Sequence, residues 1–470
     1  MTLVMKFGGT SVGNATAIRE TAELIRQAKT EWHELVVVAS AMGSRPEKVT
    51  DLLLRGAQTA VTGDDETYRQ VAAQLRHIHQ TAIHELLIDG VEKEEVLAEN
   101  GRFLTRFESL CQAVHVLGEL TPRALDAISG MGEQMSVRIL AAYLRQQGVA
   151  AQAVDATQLI VTDANFQDAA PLMESTRERV QAQLRPLLDQ NIIPIVTGFI
   201  GATAEGIPTT LGRGGSDYSA AILGYALPAR EVWIWTDVDG VMTADPRLVP
   251  DARSIPMLSY REVSELAYYG ARVLHPKTMR PCVAHGIPLR IKNTFNPEHP
   301  GTVIVETAVN GNGGVKAVTA ITDVSLITIE GKGMIGVPGI AARAFGAVAR
   351  TNVSVLLISQ ASSEQSICFV TPSHAADRVI TSLSEEFAVE LHRQDIDSIW
   401  AQQDVAIITA VGAGMRGTPG IAGRIFSALG TQQVNIIAIA QGSSECSISL
   451  VVDGKDTITA VRYIHQLIQT

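Results

Sequence analysis

The stretch LVMKFGGTSVGNATAIRETAELIRQAK (3–29) decides how this chain is built. LVMKF is a short run, apolar except for Lys6. GGTSVGN is turn chemistry, because glycine and asparagine tolerate backbone angles that other residues avoid. The remainder sets Ile18, Leu24 and Ile25 at helical spacing. The order is strand, glycine turn, helix. The next run, LVVVASA (35–41), is continuous and rich in valine. Such a run fits a strand buried on both faces of a parallel sheet. AQAVDA (151–156), NIIPIVTGFIG (191–201), EVWIWTDVDG (231–240) and IPLRIKN (287–293) repeat the pattern between helical stretches. Strand and helix alternating over about 300 residues predict an α/β fold with a mostly parallel sheet.

Residues 64–128 break this rhythm. They are polar, helical in spacing and rich in Glu, Gln, Leu and Ala, and read as a helical excursion. His77, His79 and His84 lie in it. No carboxylate stands at HExxH spacing, so they read as solvent-facing positions rather than metal ligands.

At 470 residues the chain is too long for one ordinary core. Its 46% apolar and 19% charged residues suit a compact globular protein. A net charge of −11 argues against a general nucleic-acid surface and leaves room for a local basic pocket for phosphate. Cys111, Cys282, Cys368 and Cys446 are far apart and form no CxxC pair. Neither disulfides nor zinc are expected, and reduced thiols suit the cytoplasm. MTLVMKFGGT has no apolar run fit for a signal peptide, and no stretch suggests a membrane span.

ETAVNGNGG (306–314) reads as a linker. An internal repeat follows. The unit beginning at Asp323 aligns without a gap with the unit beginning at Asp404, and about half the positions are identical. Each unit reads strand, glycine-proline loop, amphipathic helix, strand, polar turn, strand. Identity persists in the loops G-M-x-G-x-P-G and Q-x-S-S-E, where core packing does not require it. The duplicated part is therefore expected to bind a ligand.

Four motifs carry chemistry. Lys6, Gly8, Gly9 and Thr10 follow a strand and open a helix, a place where backbone N–H groups and a lysine charge suit phosphates. Taken alone, this stretch fits a tight turn equally well. In TTLGRGGSD (209–217) a glycine-rich loop carries Arg213 and Asp217 into a helix. An arginine fork binds a carboxylate, and a nearby aspartate can hold an ammonium group. Three glycines and an arginine exceed what a helix cap needs. WTDVDGVMTADPR (235–247) ends a strand where open α/β sheets bind ligands. It lacks the terminal glutamate of a calcium loop. Glu133, in SGMGEQMS (129–136), fits a dipole-complementing carboxylate or a substrate contact.

Together and in this order, these motifs resemble the aspartate kinase family of the amino-acid kinase fold. VVVASAMG with Thr50 downstream, LTPRALDAISGMGEQMS, and YYGARVLHPKT followed by IPLRIKNTFNP add to the resemblance, and the duplicated tail resembles two ACT domains. The resemblance implies a mostly parallel α/β sheet sandwiched by helices, then two ferredoxin-like α+β ACT domains. The kinase part is expected over 1–305, the linker over 306–314, the first ACT over 315–398 and the second over 399–470. Residues 315–321 are expected as a strand nested in the second ACT.

It implies phosphorylation of the L-aspartate β-carboxylate by ATP with Mg²⁺, the first step towards lysine, threonine and methionine. No protein ligand for the metal is identified. Lys6, Gly8, Gly9 and Thr10 would cradle the phosphates, with Ser40 nearby. Thr50, Glu133, Arg213, Gly214, Gly215, Ser216 and Asp217 would hold aspartate. Lys6 and Asp217 are the expected catalytic pair. Thr236, Asp237, Met242, Arg247 and Arg272 would meet the nucleotide. Met242 stands where some members have tyrosine, and Arg272 where some have lysine. The carboxylate needs no general base, so catalysis would be positioning plus charge neutralisation.

The ACT pair implies feedback by an end-product amino acid and a homodimer or homotetramer. Leu356 stands where lysine-sensing relatives are expected to carry an acidic residue. Gln360 and Gln441 resemble the threonine-responsive pattern, so threonine is favoured over lysine. A monofunctional kinase is expected. Kinases of acetylglutamate or glutamate lack the tandem ACT tail, and Lys6, Arg213, Asp217 and Asp237 argue against an inactive sensor.

Overall fold

A strand such as Leu35–Ala39 has no polar face to offer water, so it must be covered on both sides. The computed structural model, which describes residues 1–43, 47–271, 274–308, 314–361 and 365–468, covers it so. The chain divides into two compact units. In the first, the strands are β1 (Thr2–Phe7), β2 (Glu34–Ala39), β3 (Ala151–Val154), β4 (Ile193–Thr197), β5 (Ile200–Ala202), β6 (Pro208–Thr210), β7 (Glu231–Thr236), β8 (Met257–Ser259), β9 (Leu289–Asn293) and β10 (Thr302–Val305). Eight of them form one sheet in the order β3-β4-β2-β1-β7-β9-β10-β8, and β5 pairs with β6 as a separate hairpin. Every pairing in the large sheet is parallel except β9 with β10. Leu3, Met5, Phe7, Leu35 and Val37 are fully buried in a shared core. Each such side chain stabilises the fold by roughly 1.5–3 kcal/mol.

The helix after β1 spans Ala15–Glu31 and buries Ile18, Leu24 and Ile25. Asn14 caps it by accepting the Ala17 N–H at 3.0 Å. The sequence places the glycine turn directly at this helix. Instead a short 3₁₀ turn, Thr10–Val12, stands between them.

The excursion is helical, as expected: Asp65–Leu86, Val91–Leu117 and Pro122–Ser129, leading into Met131–Gln146. His77 and His84 are exposed. His79 is not. It is fully buried, and its Nδ1 meets the Leu75 carbonyl at 2.7 Å. Residues Leu75, Ala82 and Ile83 are buried on the same helix, so helical period carries His79 inward with them.

The second unit contains residues 242–253, 261–271 and 308–468. Its strands are β11 (Ala317–Glu330), β12 (Leu357–Gln360), β13 (Ser366–Pro372), β14 (Ser398–Val411), β15 (Ala438–Ala440) and β16 (Ser447–Asp453). They form one antiparallel sheet in the order β12-β13-β11-β14-β16-β15. The strand expected at 315–321 is no separate element; it is the first part of β11. Its residues Ala317–Ile321 pair with Val411–Ile407 of β14, and after a register shift Val324–Glu330 pairs with β13. Each long strand therefore serves both repeats. The duplication also shows in the backbone. Asp323 and Asp404, Gly336 and Gly417, Gly339 and Gly420, and Asn352 and Gln433 all have positive φ.

Two segments within the span 1–305 belong to this second unit. Glu262 is buried, pairs with Lys316 at 3.0 Å and accepts the Ala413 N–H at 2.7 Å. Thr243 meets His465 at 2.8 Å. Of the linker, residues 309–313 lie outside the described residues.

Burial pushes the His79 ring down from 6.5 to about 4. A depressed folded-state value makes stability present above pH 6.5 and lost as pH falls towards 4. By pH 4 the loss from this group is about 3 kcal/mol. His79→Leu should show a smaller drop in denaturant-measured stability between pH 7 and pH 4 than the parent chain. An equal drop would contradict this account.

Candidate active site

Parallel strands deliver their carboxyl ends to one edge, and the loops leaving that edge meet. Phe7 pairs with Ala39 on one side and with Trp235 on the other. Gly8, Ser40 and Thr236 therefore leave the sheet side by side. The Gly8 N–H donates to the Trp235 carbonyl at 3.1 Å, and the Ser40 N–H to the Phe7 carbonyl at 3.1 Å. Phe7 and Trp235 stack with centroids 5.9 Å apart, which floors this edge.

A cavity of about 790 Å³ opens over these loops. Its lining includes Lys6, Gly8, Gly9, Thr10, Ser40, Thr50, Glu133, Arg213, Gly214, Gly215, Ser216, Asp217, Thr236 and Asp237, so one cavity gathers most residues singled out by sequence. Met242 and Arg247 do not line it. They belong to the second unit, and Arg247 is committed to Asp245 at 2.5 Å. Arg272 lies outside the described residues. Lys48, Asp126 and Gln167 also line the cavity and were missed. Lys48 stands two residues before Thr50, and its charge was a signal. Asp126 sits inside the quoted motif LTPRALDAISGMGEQMS, where nothing distinguishes it from a helix-surface carboxylate.

The walls approach so closely that glycine is required. A Cβ on Gly43 would lie 2.7 Å from the Gly9 carbonyl carbon, and one on Gly215 would lie 2.7 Å from the Phe199 ring. Gly212 and Gly214 have φ of 75° and 73°, the left-handed region. Gly214 is the N-cap of the helix Gly215–Ala226 and offers no side-chain cap. Its first turn is thus open to an anion. In the first loop, no hydrogen bond among the described residues takes the N–H of Gly9 or Thr10.

Charge is concentrated between the two loops. Lys6 meets Asp217 at 2.7 Å, with both side chains largely shielded. Arg213 is exposed and forms no ion pair among the described residues. Glu133, in the first turn of Met131–Gln146, is buried, and its Oε2 has no hydrogen-bond partner among the described residues. Burial pushes its carboxyl up to about 8, against smaller opposing effects of the Ala41 N–H and the Lys6 charge. A buried carboxyl with an unused oxygen is poised to receive a cation.

In the second unit, two clefts of about 370 and 360 Å³ sit at equivalent places in the repeats. Gln360 lines the first with Val337 and Pro338, and Gln441 lines the second with Thr418 and Pro419. No helix among the described residues is long and apolar enough to cross a membrane.

An α/β unit with its cleft at the strand ends, followed by a duplicated ferredoxin-like unit, defines an amino-acid-kinase-type chain with paired ACT domains. The amino acid kinase family model matches residues 1–293, and the ACT domain model matches 327–387 and 408–467. Aspartokinase 3, chloroplastic, of Arabidopsis thaliana is 35% identical, covering 99% of this chain and 81% of that protein. Bifunctional aspartokinase/homoserine dehydrogenase 2, chloroplastic, of the same plant is 37% identical over 98% of this chain and 50% of its own length. E. coli aspartokinase III, solved with aspartate and ADP, shares 30% identity and a TM-score of 0.79, with 100% of both chains covered. The same enzyme solved with lysine and aspartate gives 30% identity and a TM-score of 0.80, again with 100% of both chains covered. The chain belongs to the amino acid kinase family, among its aspartokinases. It spans about half the length of the bifunctional relatives it matches.

Gly43→Ala should cost about 1–3 kcal/mol through overpacking against Gly9. Gly101→Ala, in a helix interior with nothing near its Cβ, should instead stabilise by about 0.5–1 kcal/mol. Thermal unfolding of both variants checks the pair. Equal melting temperatures would show that the Gly9–Gly43 approach is looser than described.

Proposed function

We propose that this chain transfers the terminal phosphoryl group of ATP to the β-carboxylate of L-aspartate, giving 4-phospho-L-aspartate and ADP. The observation that carries the reading is one cavity holding a lysine–aspartate pair, an unpaired arginine and a buried carboxyl with an unused oxygen. An amino acid with a second carboxylate needs those groups. Arg213 would grip a carboxylate in bidentate fashion. Glu133 and Asp217 would face the ammonium end. Thr50 lines the same cavity and would orient the substrate. Lys6, beside Gly8, Gly9 and Thr10, would neutralise charge on the transferring phosphoryl group. Thr236 and Asp237 would meet the nucleotide. The N–H groups of Gly9 and Thr10, which no hydrogen bond among the described residues takes, and the helix at Gly215, which has no side-chain cap, fit phosphate. Mg²⁺ would be carried by those phosphates, where it shields negative charge during transfer. Among the described residues no group of three or more His, Cys, Asp or Glu is placed to hold it. The incoming carboxylate is already an anion, so no protein base is required.

We further propose that an amino-acid effector binds the ACT clefts, threonine in preference to lysine, on the support of Gln360 and Gln441 at matching positions. A cytoplasmic setting suits the thiols. Cys111 and Cys282 are buried, and burial pushes both up to about 12, away from thiolate chemistry.

With ATP, Mg²⁺, aspartate and hydroxylamine, the acyl phosphate should be trapped as hydroxamate. Signal with another acid but none with aspartate would overturn the substrate assignment. Arg213→Ala should lower kcat/KM for aspartate roughly 30- to 100-fold with an unchanged circular dichroism spectrum.

Glu133 makes a second measurement decisive. Held up near 8, it is mostly neutral at pH 7, and an ammonium partner favours its ionised form. Aspartate binding at pH 7 should release close to one proton, and at pH 9 almost none. Calorimetry in buffers of different ionisation enthalpy reads this directly. Glu133→Gln should abolish the buffer dependence, and a buffer dependence that survives would assign the proton elsewhere.

A further inference from the structure

Asp126 is fully enclosed, at 2% exposure, near the end of the short helix Pro122–Ser129 that closes the helical excursion. A buried carboxylate must be compensated by hydrogen bonds. Here every one of its hydrogen bonds goes to the rim of the cavity. It accepts the Thr210 N–H at 2.9 Å and the Thr210 hydroxyl at 2.8 Å. It also accepts the Gln167 N–H at 3.1 and 3.0 Å, one contact to each oxygen. Gln167 has φ of 73°, a left-handed conformation that glycine tolerates and other residues rarely adopt. Charge-assisted bonds from its N–H offset that strain.

The two residues so held belong to the two loops that set Arg213. Thr210 ends β6 and stands three residues before Arg213. Its carbonyl accepts the Ala169 N–H at 2.9 Å, which ties the second loop to the first. Gly212 packs on Asp168, where a Cβ would lie 2.5 Å from Oδ1. Asp168 in turn pairs with Lys277 at 2.5 Å, and Lys277 reaches the Leu211 carbonyl at 3.5 Å. Leu211 itself donates its N–H to the Phe199 carbonyl at 2.9 Å. Among the described residues Arg213 has no ion-pair partner of its own, so its position rests on this frame.

We propose that Asp126 is a positioning residue for the aspartate subsite: its carboxylate clamps Thr210 and Gln167, and so sets Arg213 for the substrate carboxylate. The inference rests on the reading of Arg213 given above. It also assigns a task to the helical excursion, which brings a rigid carboxylate to the loop rim.

Asp126→Asn keeps the size but replaces one accepting oxygen with a donor that faces N–H groups. It should raise KM for aspartate about 10-fold or more while changing KM for ATP less than about 3-fold. Thr210→Val removes only the hydroxyl bond and should raise KM for aspartate by about 3-fold or more, with the backbone bond retained. It serves where Asp126→Asn folds poorly, as read by thermal unfolding. The decisive arm is the double variant. If Asp126 acts through Arg213, Asp126→Asn added to Arg213→Ala should cost almost nothing further. Full additivity, or an unchanged KM for aspartate with only a reduced folded fraction, would overturn the proposal. If Arg213→Ala alone leaves aspartate use intact, the function assignment fails instead, and the two failures are distinct.

Discussion

Phe7 opposite Ala39 and Trp235 is the register from which the rest follows. Side chains in a strand alternate between faces, so a slip of one residue would exchange the two buried faces of β1. Both faces are apolar here, and apolar pattern alone would not resist such a slip strongly. What does resist it is the end of the strand. Lys6 must emerge where it meets Asp217, and Gly8 must emerge where the Trp235 carbonyl takes its N–H. The charged pair spans two motifs far apart in sequence. It pins the glycine turn after β1 to the glycine loop before the helix Gly215–Ala226.

The cleft is walled largely by backbone. Gly9 against Gly43, Gly212 against Asp168 and Gly215 against Phe199 are contacts that any Cβ would spread. Close approach brings N–H groups to the ligand and leaves few side chains to supply charge. Of those few, Glu133, Lys6 and Asp217 are shielded, while Arg213 is exposed. Among the described residues Glu133 lacks a partner for one oxygen, and Lys6 and Asp217 hold each other. A buried polar group with an unused hydrogen-bonding atom disfavours the empty fold and favours the occupied one. Site and stability pull in opposite directions at these residues, while the apolar strands behind them supply the surplus.

Much of this was legible in the sequence for definite reasons. The run 35–41 announced a doubly covered strand, and the alternation of strand and helix on either side of the helical excursion announced a parallel sheet. Arg213 and Asp217 stood out because three glycines exceed the needs of a helix cap. Other features depend on contacts between distant residues, which no local pattern encodes. His79 resembles its exposed neighbours His77 and His84 in sequence, and only packing separates them. Asp126 reads as an ordinary helix carboxylate until Thr210 and Gln167 arrive from more than forty residues away. Met242 and Arg247 follow the strand that carries Thr236, yet they fold with the second unit. β11 reads as two segments because Asp323 interrupts its apolar pattern. The interruption is a register shift with Asp323 at positive φ, and the strand runs through it.

The same positive φ returns at Asp404, and this recurrence says what duplication preserved. Four pairs of positive-φ positions coincide between the repeats, although about half the side chains differ, and two of them, Asp323 with Asp404 and Asn352 with Gln433, are non-glycine and strained. A shared strain is costly in each copy and persists where the surrounding frame enforces it. The clefts beside Gln360 and Gln441 have nearly equal volumes because that frame is common. Their described linings differ at one pair of equivalent positions, where Val337 lines the first and Thr418 the second. Because β11 and β14 each pair within both repeats, the two clefts are built on the same two strands.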